Sequence, residues 1–256
     1  MKTVFSLFNK SVDQILKDYK QIQKVVLALL FFDIFDYLMQ NNFLLATGSD
    51  ILASLYTLTS TLFSLYLGLI LLIKLNEISL DKKVVVKVRL YLKYLWANVI
   101  IFAGVLASFL VIFIAWLVFS TNKNLAGAYQ NLTTVQLGLF GTIFSLSTLS
   151  WLLINTFTTA IVINEKISAK HSVLKSFRLV KNNFKTVLFF GFFILVVNIP
   201  AWIDIGGILY KSFVVKSYER EYFGTWSMFV TFYSLFIGIL TSLTTLNLYK
   251  KLTKTN

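Results

Sequence analysis

Two aspartates inside an apolar stretch are the side chains of this sequence that could carry chemistry. A helix that enters a bilayer at Val25 places Asp33 and Asp36 roughly 12 and 16 Å deep, near the midplane. An ionised carboxylate at that depth costs about 2.5 to 3.5 kcal/mol on insertion scales, so we expect both carboxyls to face the bundle interior in protonated form. Such a pair could relay protons or cations. The alternative is two neutral carboxyls hydrogen-bonded to Ser or Thr of neighbouring helices.

Two further features could contribute to such a site. Asn155 lies at a matching depth in a later apolar stretch and could donate a hydrogen bond to Asp33. Pro200, followed by Gly206 and Gly207, predicts a broken helix before a segment rich in aromatic residues, because proline removes a backbone donor. Transporters place binding sites at such breaks, and the alternative is a simple kink before an interfacial segment.

The composition excludes most other site chemistry. The chain has no cysteine and one histidine, His171, which excludes disulfides, thiolate nucleophiles, cysteine-ligated metals and histidine clusters. Phosphate-binding Gly-rich loops, HExxH and GxSxG are also absent from the sequence. We therefore expect no enzyme activity, no cofactor and no bound metal, and we interpret His171 as a solvated residue of a basic surface.

The elements that must position these residues are membrane-spanning helices. Hydrophobic residues make up 57% of the 256 residues and charged residues only 14%, against about 25% charged in an average soluble domain. About 20 apolar residues cross a bilayer as a helix, and near-continuous apolar runs favour helices over alternating barrel strands. The fold class is therefore all-α, a single integral membrane domain over 1–256. Six spans are predicted, at about 25–45, 51–73, 96–119, 136–163, 187–206 and 226–249.

The positive charges separate cleanly between the two sides of these spans. Of the 24 Lys and Arg residues, 20 fall in the segments on the side of the N-terminus and four on the other side. The positive-inside rule then predicts that both termini of this multi-pass protein lie in the cytoplasm. No cleavable signal peptide is expected, because lysines interrupt every apolar run before position 25.

The basic segments have amphipathic periodicity and precede pairs of spans. This predicts three hairpins, each led by a basic interfacial helix, with Ser79 and Ser168 as N-caps of the second and third of these helices. Their apolar faces should lie in the membrane and their cations should bind anionic lipid head groups, and nucleic-acid binding is not expected. The cations proposed to bind head groups are Lys17, Lys20, Lys82, Lys83, Lys87, Arg89, Lys170, Lys175, Arg178, Lys181 and Lys185.

Two families resemble parts of the chain. The run AIVINEKIS at residues 160–168, followed by Ser, Leu, Lys, Phe, Val and Asn residues up to Phe184, resembles the signature of uncharacterised bacterial membrane proteins related to the membrane domain of glycerophosphodiester phosphodiesterases. That resemblance implies six spans with a basic helix after the fourth, in a bacterial plasma membrane. The catalytic domain of the phosphodiesterases has no counterpart in this sequence. The overall layout also resembles the permease subunits of type 2 ABC exporters, although the basic segment between spans four and five fits that pattern poorly.

These features predict a non-enzymatic scaffold or accessory factor in envelope or lipid processes, which binds anionic lipid through its cytoplasmic basic helices. The rival hypothesis is a transport protein. It would be either an ABC permease subunit that requires a separate ATPase, or a small proton-coupled carrier that uses Asp33 and Asp36.

Overall fold

The described part of the chain is entirely helical. A computed structural model describes residues 2–39, 50–81, 83–119, 151, 153–199 and 225–254. Within these ranges there are seven helices and no strands, so the all-α fold class is confirmed for this part of the chain. The helices are α1 Lys2–Leu38, α2 Asp50–Leu80, α3 Val88–Phe119, α4 Leu153–Asn164, α5 Ala169–Asn182, α6 Phe184–Val197 and α7 Thr225–Lys254.

Three of these helices have the length and apolarity of membrane spans. The apolar parts run over Ile51–Leu80 in α2, Val88–Ile112 in α3 and Phe232–Thr253 in α7. Helices α5 and α6 meet at a short break and would add a fourth if together they form one bent span. Three to four such helices among the described residues indicate a membrane protein.

The predicted second, third and sixth spans lie inside α2, α3 and α7. The other three predicted spans are described only in part. The first (25–45) continues α1 and then leaves the described residues, the fourth (136–163) is described mainly from 153 onwards, and the fifth (187–206) is described up to 199. The count of six and the hairpin arrangement therefore stay predictions.

The N-terminal amphipathic segment and the apolar segment after it form one kinked helix. Helix α1 departs from helical geometry at Asp18, where φ is −110° and ψ is 17°. Ile15 and Ile22, on either side of this kink, are both buried, as their seven-residue spacing predicts. The kink therefore changes the direction of the helix without removing its buried stripe.

The predicted helix caps have different outcomes. Ser168 is the N-cap of α5 and its hydroxyl accepts a hydrogen bond from the backbone N–H of His171, which confirms the prediction. The prediction for Ser79 is wrong, because α2 continues through it to Leu80. That helix ends where Asp81 adopts a left-handed conformation, with φ at 53°, and donates its N–H to the carbonyl of Glu77.

The helices fall into two compact units. The first comprises residues 1–87 and 185–256, where α1, α2 and α7 pack on one another. The second comprises residues 88–184, where α3 packs against α5. In the first unit the sequence around Leu243 to Leu248 is buried on all sides of α7, as expected for a central helix. The expectation of a single membrane domain over 1–256 stays a prediction.

Candidate functional site

One of the two intramembrane aspartates contacts the neighbouring helix. The Ser60 hydroxyl of α2 donates a hydrogen bond to the Asp36 carboxylate of α1, and the Tyr56 hydroxyl lies beside the same carboxylate. Next to this contact the rings of Phe32 and Phe63 pack with their centroids 4.9 Å apart. The C-terminal part of α1 and the N-terminal part of α2 are thus joined by one polar and one aromatic contact.

The two carboxylates differ in their surroundings. Asp36 is half-buried, whereas Asp33 is exposed, contrary to the expectation that both face the bundle interior. The hydroxyl partner of Asp36 belongs to the adjacent span, as the alternative to the relay hypothesis anticipated. Asn155, expected to donate to Asp33, is half-buried in α4 of the second unit, and its predicted bond stays a prediction.

Metal chemistry finds no support at this position. Within the described residues no group of three or more His, Cys, Asp or Glu side chains is close enough together to hold a metal ion. Asp36 can accept hydrogen bonds from Ser60, and in its protonated form it can also donate one proton. The polar contact that the structure describes here between α1 and α2 is therefore a hydrogen bond accepted by a carboxylate.

A buried polar cluster that the sequence patterns did not predict joins the three helices of the first unit. Its centre is Asn247 of α7, which is 3% exposed. The Asn247 amide nitrogen donates to the Ser11 hydroxyl at 3.0 Å and to the Gln14 side-chain oxygen at 2.8 Å. The Ser79 hydroxyl of α2 donates to the Asn247 oxygen at 3.0 Å. One side chain therefore holds α1, α2 and α7 together through three hydrogen bonds.

The same cluster satisfies the last carbonyls of α2. The final turn of any helix leaves carbonyls without a partner inside the helix, and burial makes an unpaired carbonyl costly. Gln14 donates to the carbonyl of Ile78 at 3.3 Å and Lys250 donates to the carbonyl of Ser79 at 3.0 Å. The end of α2 is thus fixed by side chains from both of the helices that pack on it.

The second unit has an equivalent arrangement at the end of α4. Lys93 of α3 donates from its Nζ to the carbonyls of Val162 and Glu165, at 2.8 and 2.7 Å. A cation is favoured there because the C-terminal end of a helix carries partial negative charge. The Glu165 carboxylate pairs with Lys175 of α5 at 2.8 Å. These contacts connect α3, the end of α4 and α5.

Helix α5 presents two different faces. Its buried face consists of small and apolar residues, and Ser176 donates its hydroxyl hydrogen to the carbonyl of Ile154 in α4. The amphipathic pattern predicts one apolar face that contains Val173, Phe177, Val180 and Phe184, but only the two valines are buried, and both phenylalanines are about half exposed. The buried residues are Ser172, Val173, Ser176, Leu179 and Val180.

The cations proposed to bind head groups are at the surface wherever the structure describes them. All ten are exposed: Lys17, Lys20, Lys83, Lys87, Arg89, Lys170, Lys175, Arg178, Lys181 and Lys185. His171, expected on a solvated basic surface, is exposed too, and its Nδ1 lies 2.7 Å from the Ser168 hydroxyl. Lys82 and the three residues of the predicted helix break, Pro200, Gly206 and Gly207, lie outside the described residues.

The sequence patterns missed Gln14, Lys93 and Asn247 as organising residues. Asn247 was visible as an amide inside the last apolar stretch, where a polar side chain requires a partner. Gln14 and Lys93 lie among the polar residues of basic segments, where the sequence does not distinguish a side chain that caps a helix from one in water.

Comparison of the chain with known families, with curated proteins and with solved structures finds no match.

Proposed function

We propose that this protein is a six-span protein of a bacterial plasma membrane with both termini in the cytoplasm. In this proposal it acts as a non-enzymatic scaffold or accessory factor in envelope or lipid processes and binds anionic lipid through its basic segments. The relation to the membrane domain of glycerophosphodiester phosphodiesterases belongs to the same proposal, resting on the motif over residues 160–184.

The observation that carries the lipid part is the exposure of the cations at the ends of apolar helices. Lys83 and Lys87 lie between the apolar parts of α2 and α3, Arg89 lies in the first turn of α3, and all three are exposed. Cations in such a position attract anionic head groups by about 1 kcal/mol each. By contrast Lys74, near the end of α2, pairs with Glu77 at 2.9 Å. The negative charge of Glu77 offsets that of the lysine and weakens its attraction to a lipid head group.

The test measures lipid retained through purification in mild detergent. We expect the wild-type chain to keep phosphatidylglycerol and cardiolipin, and the variant Lys83→Gln, Lys87→Gln, Arg89→Gln to keep several-fold less. The matched control Lys74→Gln removes a paired cation and should retain the wild-type amount. Equal anionic lipid in all three proteins would refute lipid binding through these residues. Recovery of a stoichiometric ATPase in the same purification would refute the scaffold hypothesis in favour of the exporter permease.

The topology can be tested with single cysteines, because the chain has none of its own. A cysteine at Val85 or at Lys175, both exposed, should resist an impermeant thiol reagent in intact cells and react after permeabilisation. A cysteine at Thr47, which the charge pattern places outside, should react without permeabilisation. Labelling of the first two positions from outside would show that the predicted topology is wrong and would refute the proposal.

A carrier is the second candidate, because Asp36 is a half-buried carboxyl at the contact between two apolar helices. If Asp36 exchanges protons during transport, Asp33→Asn with Asp36→Asn should abolish proton-coupled flux in proteoliposomes. The control Asp13→Asn changes an exposed carboxylate of the N-terminal segment and should leave the flux unchanged. Equal flux in all three proteins would remove the carrier hypothesis.

A further inference from the structure

The inner face of α5 is already occupied by protein. Its buried residues face α3 and α4, where Ser176 bonds the carbonyl of Ile154. An amphipathic helix usually rests on a membrane through its apolar face, but here that face is covered. Any contact of α5 with lipid must therefore use the opposite side of the helix.

That opposite side combines cations with large apolar side chains. We define the outer face of α5 as Lys170, Leu174, Phe177, Arg178 and Lys181, all of which are exposed. Leu174 is 45% exposed and Phe177 51%, and they are neighbours one helical turn apart. Each has a cation four residues away, so the apolar pair is surrounded by positive charge. No Asp or Glu occurs between residues 169 and 183.

Contacts within the second unit bring α5 to the end of an apolar helix. Lys175 of α5 pairs with Glu165, whose carbonyl accepts from Lys93 of α3. Three residues after Lys93 stands Trp96, which is 63% exposed and begins the predicted third span. Exposed tryptophan is favoured at the level of lipid head groups. The beginning of α5 therefore lies at the level where α3 would leave the head-group region and enter the hydrocarbon.

We propose that the outer face of α5 docks on the anionic leaflet of the membrane that holds the protein. Lys170, Arg178 and Lys181 bind phosphate groups of the lipids, while Leu174 and Phe177 insert between the acyl chains below them. Lys175 is not part of this set because Glu165 neutralises it. The inference rests on the proposed function, since it requires α3 to span the bilayer.

An anionic bilayer fits this face better than a single acidic protein. Long basic side chains can extend their charges to the head groups while their stems cover apolar surface. Two half-exposed apolar residues between three such cations match the layered chemistry of a leaflet, where anionic phosphates lie above hydrocarbon.

The experiment measures depth with nitroxide labels in nanodiscs, using the full chain. Single cysteines replace Leu174 or Phe177, and collision of the label with oxygen is compared with collision with a water-soluble nickel chelate. The discs contain either phosphatidylcholine alone or a mixture with phosphatidylglycerol. Asn182→Cys, exposed on α5 but outside the outer face, is the matched control, and Leu106→Cys on the exposed side of α3 reports embedding of the span.

We expect labels at 174 and 177 to be accessible to oxygen in the anionic discs and to the nickel chelate in the neutral discs. The label at 182 should stay accessible to the chelate in both. In the anionic discs, Lys170→Gln, Arg178→Gln, Lys181→Gln should lower the ratio of docked to undocked α5 by about 100-fold, from about 1 kcal/mol per cation. Because these three residues are exposed, the variants should keep the wild-type helical content.

Two failures are distinguishable. Chelate-accessible labels at 174 and 177 in both kinds of disc, with the label at 106 in lipid, would overturn the docking of α5 and leave the proposed function intact. That result would leave an acidic protein partner as the candidate occupant of the outer face. A chelate-accessible label at 106 would overturn the membrane-spanning role of α3, and the docking with it. Oxygen-accessible labels that do not respond to the charge substitutions would refute the role of the cations.

Discussion

Replacement of Asn247 by alanine tests whether the buried polar cluster holds the first unit together. The side chain makes three hydrogen bonds, to Ser11, Gln14 and Ser79, and is nearly fully buried. Each such bond contributes about 0.5 to 1.5 kcal/mol net, and the groups left behind lose their partner without access to water. Bonds between membrane helices average nearer the lower value. We therefore expect Asn247→Ala to lower the free energy of unfolding by about 2 to 4 kcal/mol.

The assay is reversible unfolding by a denaturing detergent in mixed micelles, followed by helical circular dichroism. Asn98→Ala is the matched control, because the Asn98 amide of α3 donates to the Tyr94 carbonyl of its own helix. It should cost under about 1 kcal/mol. Combining Ser11→Ala with Asn247→Ala should give a coupling of about 1 kcal/mol. Equal losses for Asn247→Ala and Asn98→Ala, or additive single effects in the cycle, would refute the cluster as a stabilising element.

Two further substitutions test the packing of the second unit by the same unfolding assay. Gly104→Ala would place a Cβ 2.3 Å from the Trp151 ring, so the ring must shift at a cost of about 1 to 3 kcal/mol, whereas Gly68→Ala meets no atom within 4 Å and should be neutral or slightly stabilising. A Gly104→Ala protein as stable as wild type would contradict this packing. Lys93→Met removes both hydrogen bonds to the end of α4. It should lower the free energy of unfolding by about 2 to 3 kcal/mol and speed amide hydrogen exchange at the start of α5. The control Lys87→Met should change neither quantity. An unchanged rate of amide hydrogen exchange in Lys93→Met would show that this lysine does not stabilise the junction between α4 and α5.

Periodicity and hydropathy predicted the helices because both depend on the residues of a single segment. The apolar runs that predicted spans two, three and six lie inside α2, α3 and α7, and Ser168 caps α5. Ser79 shows the limit of this reasoning. A serine followed by a basic amphipathic segment suits an N-cap, but the polar cluster around Asn247 offers it a different partner and α2 continues past it.

The candidate sites were less predictable because they depend on which helices pack together. Matching by depth paired Asn155 with Asp33, which stays a prediction, and it did not indicate Ser60, the described partner of Asp36 on the adjacent helix. The amphipathic pattern of α5 predicts two faces but assigns Phe177 to the wrong one, and periodicity cannot tell whether an apolar face meets lipid or protein. Only the contact with α3 and α4 shows that it meets protein and that Phe177 lies on the other side.

The basic residues that the structure describes divide into two groups with different physical roles. Lys93 and Lys250 donate to the carbonyls that end α4 and α2, and Lys74 and Lys175 pair with glutamates, so these four stabilise the protein itself. A count of charges cannot separate them from the exposed cations, because both groups lie next to apolar stretches. This difference matters for lipid binding. A lysine that donates to backbone carbonyls already uses its hydrogen-bond donors within the protein, so it has fewer donors for a lipid phosphate. Lipid affinity should therefore follow the exposed cations other than Lys175, and substitution of the capping lysines should change stability first.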